Sequence, residues 1–536
     1  MIEIHKYFPL DTDPREGQVE AINGTIDAFD KGYKTVVVEA PVGSGKSAIA
    51  MTIAAYLGDS HLLTPRKALQ DQYFNDFSDR VALMKGRGAY PCYPAEGTEN
   101  SRLNMAIYKN EKMGRKIPLF DALGSIDNGF SPPFEGLSCA QGPCLEDTAT
   151  KNLCLETTVC CYKAAISTAL RNDHVVHNLH SFIFQAYFAN YFDTRDLLVV
   201  DESHDMEDII RDFLTRTITV YKHLEVYPDG DDYDEWVRFL SQEEFRPADG
   251  SKERERFDEQ LEKFLEYRMK NFVVDVKTND FGIINKTTFR FIPKHIGNAA
   301  ENLLLGYGKK RLLMSGTIYD KDYFCFRNGI DKNETAFIKI DSTFPIKNRP
   351  IIMKEKYLTD NSHKSWGDSF EKIVSNIKDI MSKMPNVRGL IHAPSYELGR
   401  RLELALADTG RVMSHTPETF QTSLNWFFEN SPDNAVFISP VCQQGVDFKY
   451  DRARFQIIVR VPFPNAGDVF VKEMMKDDFD WYNYKTLITF GQMLGRVVRA
   501  EDDHGVTILL DSRFKTFIRR NRKFLPADVL ASIRER

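Results

Sequence analysis

The stretch Thr35-Val-Val-Val-Glu-Ala-Pro-Val-Gly-Ser-Gly-Lys-Ser-Ala-Ile-Ala-Met-Thr-Ile-Ala-Ala-Tyr56 decides the fold. Thr35 to Glu39 is a β-branched run suited to a buried strand, and the apolar run from Ala48 to Tyr56 suits a helix. Between them, Ala40-x4-Gly45-Lys46-Ser47 departs from the glycine-first phosphate loop only at Ala40. Gly43, Ser44 and Gly45 leave backbone N–H groups free to wrap phosphate oxygens. Lys46 reaches the β- and γ-phosphates, and Ser47 binds Mg²⁺. The stretch predicts strand, loop and helix around bound ATP.

The same grammar recurs downstream. Asp196-Leu-Leu-Val-Val200 runs into Asp201-Glu-Ser-His204, and Arg311-Leu-Leu-Met314 runs into Ser315-Gly-Thr-Ile318. An acidic pair at a strand end suits ATP chemistry, because one carboxylate (Asp201) holds the Mg²⁺ shell while the other (Glu202) orients or deprotonates a water. Repeated strand-then-polar-loop units imply an α/β fold with parallel sheets and chemistry at the strand ends. A second α/β unit begins near residue 350, with strands expected at Gly389 to His392, Ala435 to Ser439, Phe455 to Val459 and Val506 to Leu510. Within it, Gln492, Arg496 and Arg499 are spaced i, i+4, i+7, so as a helix they form one stripe aiming two guanidinium groups the same way. That geometry suits phosphate charge developing in a transition state.

The chain has 536 residues, about three to four domains at roughly 150 residues each. Hydrophobic residues are 42% and charged residues 27%, which excludes disordered, collagen-like and coiled-coil classes. No apolar run is long enough for a membrane helix and the start lacks a signal peptide, so an intracellular, cytoplasmic protein with no membrane partner is expected. The net charge of −7 makes any nucleic-acid surface local. The tail from Arg513 to Lys523 is one basic candidate; a solvated helix face explains it equally well. Phe257, Leu261, Phe264, Leu265 and Arg268 follow helical spacing in a charged, aromatic-rich segment at 205–300 that is expected to be helical. Six of eight cysteines crowd into 92–161, a pattern that points to metal rather than disulfides.

Taken in order, the phosphate loop, Asp-Glu-Ser-His, Ser-Gly-Thr, a Gly-x-Asp motif and Gln-x2-Gly-Arg-x2-Arg resemble a helicase of the second superfamily. The cysteine cluster opening with Lys85-Gly-Arg-Gly-Ala-Tyr-Pro-Cys92 makes the chain resemble the XPD/DinG family of iron–sulfur helicases. The resemblance implies two RecA-like motor domains. The first would be 1–84 with 176–204 and 301–345, and the second 346–536. Residues 85–175 would be the iron–sulfur insertion and 205–300 a helical arch. It implies adenine contacts from Arg15 and Gln18, phosphate coupling through Asp447, and strand contacts from Thr64, Arg66, Gln70, Ser395 and Tyr396. It further implies an ATP-dependent DNA helicase moving 5′ to 3′ on single-stranded DNA and opening forked duplex. A nucleic-acid-stimulated ATPase that remodels protein–DNA complexes without unwinding is the alternative. No nuclease activity from an appended domain is expected.

Two departures stand out. Gln444 replaces the glutamate usual in the family's Glu-Gly-x-Asp, so an uncharged amide stands where a carboxylate is expected. The cysteines number six where four ligands are needed. By their family contexts Cys92, Cys144, Cys154 and Cys160 are the expected ligands of a [4Fe-4S] cluster, with Cys139 and Cys161 as rivals. A four-cysteine zinc site has the same ligands.

Overall fold

The computed structural model describes residues 3–90, 139–140, 160–279, 285–360, 366–443 and 445–535. Two compact units result: one of Met1–Ile53, Asp201–Leu305 and Lys310–Arg536, the other of Ala54–Val200 with Gly306–Lys309.

In the first unit the strand Thr35–Glu39 forms as expected. It runs parallel to Thr335–Lys339 on one side and to Gly308–Ser315 on the other. The helix Lys46–Leu57 follows the phosphate loop. Ala48, Ile49, Ala50, Met51 and Ile53 are all buried, as befits a helix apolar around most of its circumference.

The same unit carries a seven-stranded, wholly parallel sheet. Its order is Val412–Met413, Val436–Ser439, Gly389–His392, Phe455–Ile458, Val506–Leu509, Ile351–Ile352, Ile533–Arg534. Successive strand residues point to opposite faces, and both faces are covered. Ile457 and Ile508 pack with Ile373, Ile377 and Leu402 on one side, while Ile458 and Leu509 pack with Leu487, Phe490, Phe514 and Phe517 on the other. Burial on both sides is why these strands read as unbroken apolar runs. The basic tail supplies part of this core: helix Arg513–Arg520 buries Phe514, Phe517 and Ile518, leaving Arg519 and Arg520 exposed.

The 205–300 insertion is mixed rather than all-helical, which corrects the sequence expectation. Arg216–Val220, Lys286–Pro293 and Phe272–Asn279 form an antiparallel sheet with the middle strand shared. Helices Tyr233–Leu240 and Lys252–Leu265 close a core of Trp236, Phe257, Phe264, Phe289 and Phe291 with it. The strand signal was present in the alternating, β-branched Thr287-Thr-Phe-Arg-Phe-Ile292.

In the second unit, Ser60–Thr64 lies parallel between His174–Asn178 and the residues Leu197 to Val200 of the next strand, with Ala82–Met84 outside His174–Asn178. Among the described residues no helix is long and apolar enough to cross a membrane.

Candidate active site

The phosphate loop requires its glycines. Gly43 and Gly45 have φ of +80° and +78°, the left-handed region that residues with a Cβ enter at a cost. Space is equally restrictive at Gly43, where a Cβ would sit 2.6 Å from the carbonyl oxygen of Arg499 and 2.5 Å from Phe344 Cζ. Within this unit the loop therefore touches the backbone of the arginine segment directly. Arg15 Nη1 donates to Gly43 O at 2.8 Å, and Gln18 Nε2 donates to Gly45 O at 3.4 Å. Both expected adenine contacts thus stand at the loop, held together by the Arg15 N–H on Gln18 Oε1 at 2.9 Å.

Lys46 opens the helix behind the loop with Ser47 beside it, and its Nζ is 3.8 Å from Glu202 Oε1. Asp201 ends its strand 5% exposed, and its Oδ1 accepts the Glu202 N–H at 2.9 Å. Glu202 adopts φ 52° and ψ 46°, an unusual conformation for a residue with a side chain and one that recurs at functional sites. Burial acts to raise the pKa of its carboxyl, but the positive charges of Lys46, His204, Arg496 and Arg499 outweigh it and hold the group below the usual glutamate value. Lys46, Arg496 and Arg499, with the His204 ring beside them, thus surround one carboxylate. Ser44 Oγ and Glu202 Oε2 are buried without a hydrogen-bond partner in the protein, polar atoms of the kind a bound magnesium nucleotide satisfies.

From the acidic pair a chain of polar contacts leads to the arginines. His204 Nδ1 and Ser315 Oγ are 2.8 Å apart, and Ser315 Oγ accepts the Thr317 N–H at 3.1 Å. Gln492 Nε2 donates to Thr317 Oγ1 at 3.0 Å, and Arg496 Nη2 donates to Gln492 Oε1 at 3.3 Å. Arg496 also reaches Gln492 O and Val446 O, both at 2.9 Å. The expected helical stripe is corrected here. Helix Phe479–Leu494 ends at Gly495, so Arg496 and Arg499 lie beyond it and converge on Glu202 by tertiary placement. Arg499 Nε is 3.8 Å from Asp447 Oδ1, which joins the Gly-x-Asp motif to the site; Gln444 lies outside the described residues.

Sequence reasoning did not single out Asp503. Fully buried, it accepts from Arg454 Nη1 at 2.8 Å, Tyr450 N at 3.1 Å and Arg499 N at 3.3 Å. It ties the Asp447 and Arg499 loops together, and no local pattern in Glu501-Asp-Asp-His504 announces that. Ser315 and Thr317 were legible only as a motif, through two hydroxyls just past an apolar strand.

The expected strand contacts are placed unequally. Ser395 is exposed and caps helix Tyr396–Ala405 by accepting from Leu398 N at 3.2 Å, with the Tyr396 and His415 rings 5.5 Å apart. In the second unit Thr64 and Gln70 are buried, Thr64 Oγ1 donating to Arg66 O at 3.2 Å and Gln70 Nε2 to Met84 O at 3.1 Å. Arg66 is half-buried before helix Lys67–Phe77.

Among the cysteines, Cys92, Cys144 and Cys154 lie outside the described residues. Cys139 is buried, pinned by its N–H on Tyr90 O at 2.8 Å and by Arg87 Nε on its carbonyl at 2.7 Å. It hydrogen-bonds Cys160, which precedes helix Cys161–Arg171, and that bond foremost brings the Cys160 thiol down to about 6. The second unit thus joins an expected ligand to the rival Cys139. Among the described residues no group of three metal-ligating side chains converges.

Comparison with known proteins agrees with this geometry. Residues 377–529 match the helicase C-terminal domain family, and residues 11–223 match the family described as type III restriction enzyme, res subunit. A Haemophilus influenzae protein named ATP-dependent DNA helicase YoaA is 22% identical over 93% of this chain and 91% of its own length. An Aedes aegypti regulator of telomere elongation helicase 1 homolog is 28% identical over 27% of this chain and 18% of its own. An XPD helicase structure covers 98% of this chain and all of its own at TM-score 0.60 and 14% identity, and an Xpd4 structure from S. tokodaii covers 97% at TM-score 0.55 and 13% identity. The fold and site define an ATP-dependent helicase of the second superfamily built on two RecA-like parallel-sheet domains. More particularly, the chain is similar in sequence to the helicase YoaA over nearly its whole length and similar in fold to XPD structures.

Proposed function

We propose that this ATP-dependent DNA helicase moves 5′ to 3′ along single-stranded DNA, unwinds forked duplex and carries a [4Fe-4S] cluster. The observation that carries the reading is the convergence of Lys46, Arg496 and Arg499 on Glu202, beside a phosphate loop that touches the Arg499 backbone. Lys46 and the Gly43–Gly45 backbone bind the phosphates, while Ser47 and Asp201 hold Mg²⁺, which supplies Lewis-acid stabilisation of phosphate charge. Glu202, kept ionised by its cationic neighbours, orients the attacking water. Arg496 and Arg499 meet charge developing on the transferred phosphoryl group, and Asp447 aims Arg499. Arg15 and Gln18 take the adenine.

Because the loop and the arginines belong to different α/β sheets, nucleotide turnover alters how those sheets meet, and the chain of contacts from His204 to Arg496 carries that change. In this reading Ser395 and Tyr396 of the first unit contact the strand, and so, separately, does the Thr64, Arg66 and Gln70 segment of the second, with Thr64 and Gln70 acting by holding backbone in place. Motor domain 1 comprises 1–84, 176–204 and 301–345, motor domain 2 comprises 346–536, and the insertions 85–175 and 205–300 serve as cluster domain and arch. Cys92, Cys144, Cys154 and Cys160 hold the cluster, and the contact between Cys139 and Cys160 favours Cys139 as the rival to test first.

The test is strand displacement from forked substrates with a 5′ or a 3′ single-stranded tail, in DNA and in RNA. Displacement only from the 5′-tailed DNA fork is expected. Displacement only from 3′ tails would overturn the polarity. DNA-stimulated ATP hydrolysis without displacement would leave the remodelling ATPase.

A further inference from the structure

Tyr319 follows the Ser315-Gly-Thr-Ile318 motif and is one of five non-glycine residues with positive φ among the described residues, at +58°. A tyrosine keeps that conformation only where its surroundings over-determine it. Its N–H donates to Glu39 Oε2 at 2.8 Å, and Glu39 Oε1 is paired with Lys339 Nζ at 3.0 Å. Glu39 is the last residue of the strand that feeds the phosphate loop. Held this way, the Tyr319 ring fits against Gly491, immediately before Gln492. A Cβ at Gly491 would overlap the Tyr319 hydroxyl and stand 2.9 Å from both Tyr319 Cζ and Thr317 Cγ2. Two further bonds staple the same segment to the same helix: Tyr484 Oη donates to Ile318 O at 3.0 Å, and Gln492 Nε2 donates to Thr317 Oγ1 at 3.0 Å.

Beside this contact lies a cavity of about 100 Å³, bordered by Glu39, Tyr319, Lys339 and Gln492. Leu487, Phe490 and Met493 pack one face of this helix end into the core, whereas the face toward the phosphate-loop strand borders the cavity and is spaced by Tyr319. We propose that Glu39 and Tyr319 form a strut that sets the distance between the phosphate loop and the Gln492–Arg499 segment, making both positioning residues for ATP hydrolysis. The strut acts through Gly491: Glu39 fixes the Tyr319 backbone, the ring fixes the helix, and the helix end delivers Arg496 and Arg499. Nucleotide affinity owes less to it than kcat does, because Arg15 and Gln18 also hold the loop, at Gly43 O and Gly45 O.

The inference rests on the assignment of the ATP site, and Lys46→Ala serves as the reference. The experiment measures kcat and KM for ATP with saturating single-stranded DNA, beside thermal melting, in Gly491→Ala, Tyr319→Phe and the double variant. Gly491→Ala is expected to lower kcat by roughly tenfold to a hundredfold, since misplacement by about 1 Å costs that order, with KM little changed. In the Tyr319→Phe background, where the overlapping hydroxyl is gone, the same substitution costs severalfold less. Glu39→Gln, which keeps an acceptor for the Tyr319 N–H, retains more kcat than Glu39→Ala at equal KM, and this pair decides the matter even if Gly491→Ala does not fold. The strut is refuted if Lys46→Ala is inactive while Gly491→Ala turns over normally, if the double variant is as slow as Gly491→Ala, or if Glu39→Gln and Glu39→Ala behave alike. Normal turnover by Lys46→Ala overturns the site assignment and the strut with it.

Discussion

Replacing Arg499 with alanine separates chemistry from architecture. The backbone of Arg499 is held by its N–H on Asp503 Oδ2 at 3.3 Å, a bond the variant keeps. Its guanidinium makes a 3.8 Å contact with Asp447, at a side chain 26% exposed. A partly exposed pair of this kind is worth about 0–1 kcal/mol, so the protein stays folded. Yet that guanidinium is near enough to Glu202 to help hold its carboxyl ionised, and the Arg499 carbonyl lies against Gly43 of the phosphate loop. Arginines in such positions supply roughly 10³ to 10⁵ in rate, about 4–7 kcal/mol of barrier. The expected outcome is a loss of kcat of that size with a far smaller change in nucleotide affinity. Arg496→Ala provides the contrast. Its guanidinium is buried, and deletion orphans Gln492 O and Val446 O, at about 1–3 kcal/mol of stability for each as well as activity. The assay is ATP turnover with single-stranded DNA, with circular dichroism, melting and nucleotide affinity measured on the same samples. Well-folded Arg499→Ala protein hydrolysing ATP at the normal rate would refute the placement of that charge.

Lys46→Ala abolishes ATP hydrolysis while retaining single-strand binding, because its ammonium acts on phosphate charge; turnover and DNA titration on the same preparation check both. Anaerobically purified protein is brown and contains iron and acid-labile sulfide, whereas zinc without iron would identify the other four-cysteine centre. Glu207 is buried between Arg211, Arg327 and Lys485. Burial works to raise its pKa, but those three cations hold it far below the usual glutamate range. An unfolded glutamate therefore binds its proton at higher pH than the folded one. The stabilisation is complete above about pH 4.5 and is lost as pH falls toward the folded pKa. Glu207→Gln lowers stability by about 3–5 kcal/mol at neutral pH and flattens that acid limb, as denaturant melts across pH will show.

Much of the catalytic centre was legible in order along the chain because each part is local: a strand, a glycine loop and the helix after it, or an acidic pair where an apolar run stops. Thr35–Glu39, Gly389–His392 and the loop from Gly43 to Ser47 needed no distant information. The 205–300 insertion resisted because the charged, aromatic helical spacing of Phe257 to Arg268 carried the louder pattern and masked the alternation present at Thr287 to Ile292. The arginines show the sharper division. Their i, i+4, i+7 spacing suggested a helix, yet Gly495 ends it, and both side chains arrive at Glu202 through contacts made by Val446, Asp447 and Asp503. Val446 and Asp447 lie about fifty residues away in sequence, and Glu39, Tyr319 and Gly491 lie far from one another, so no window of neighbouring residues records such encounters. Sequence alone settled which chemical groups are present and which strands carry them. The tertiary structure decided which charges share one buried volume, because the field of Lys46, Arg496 and Arg499 on Glu202 depends on distance through space and on exclusion of water.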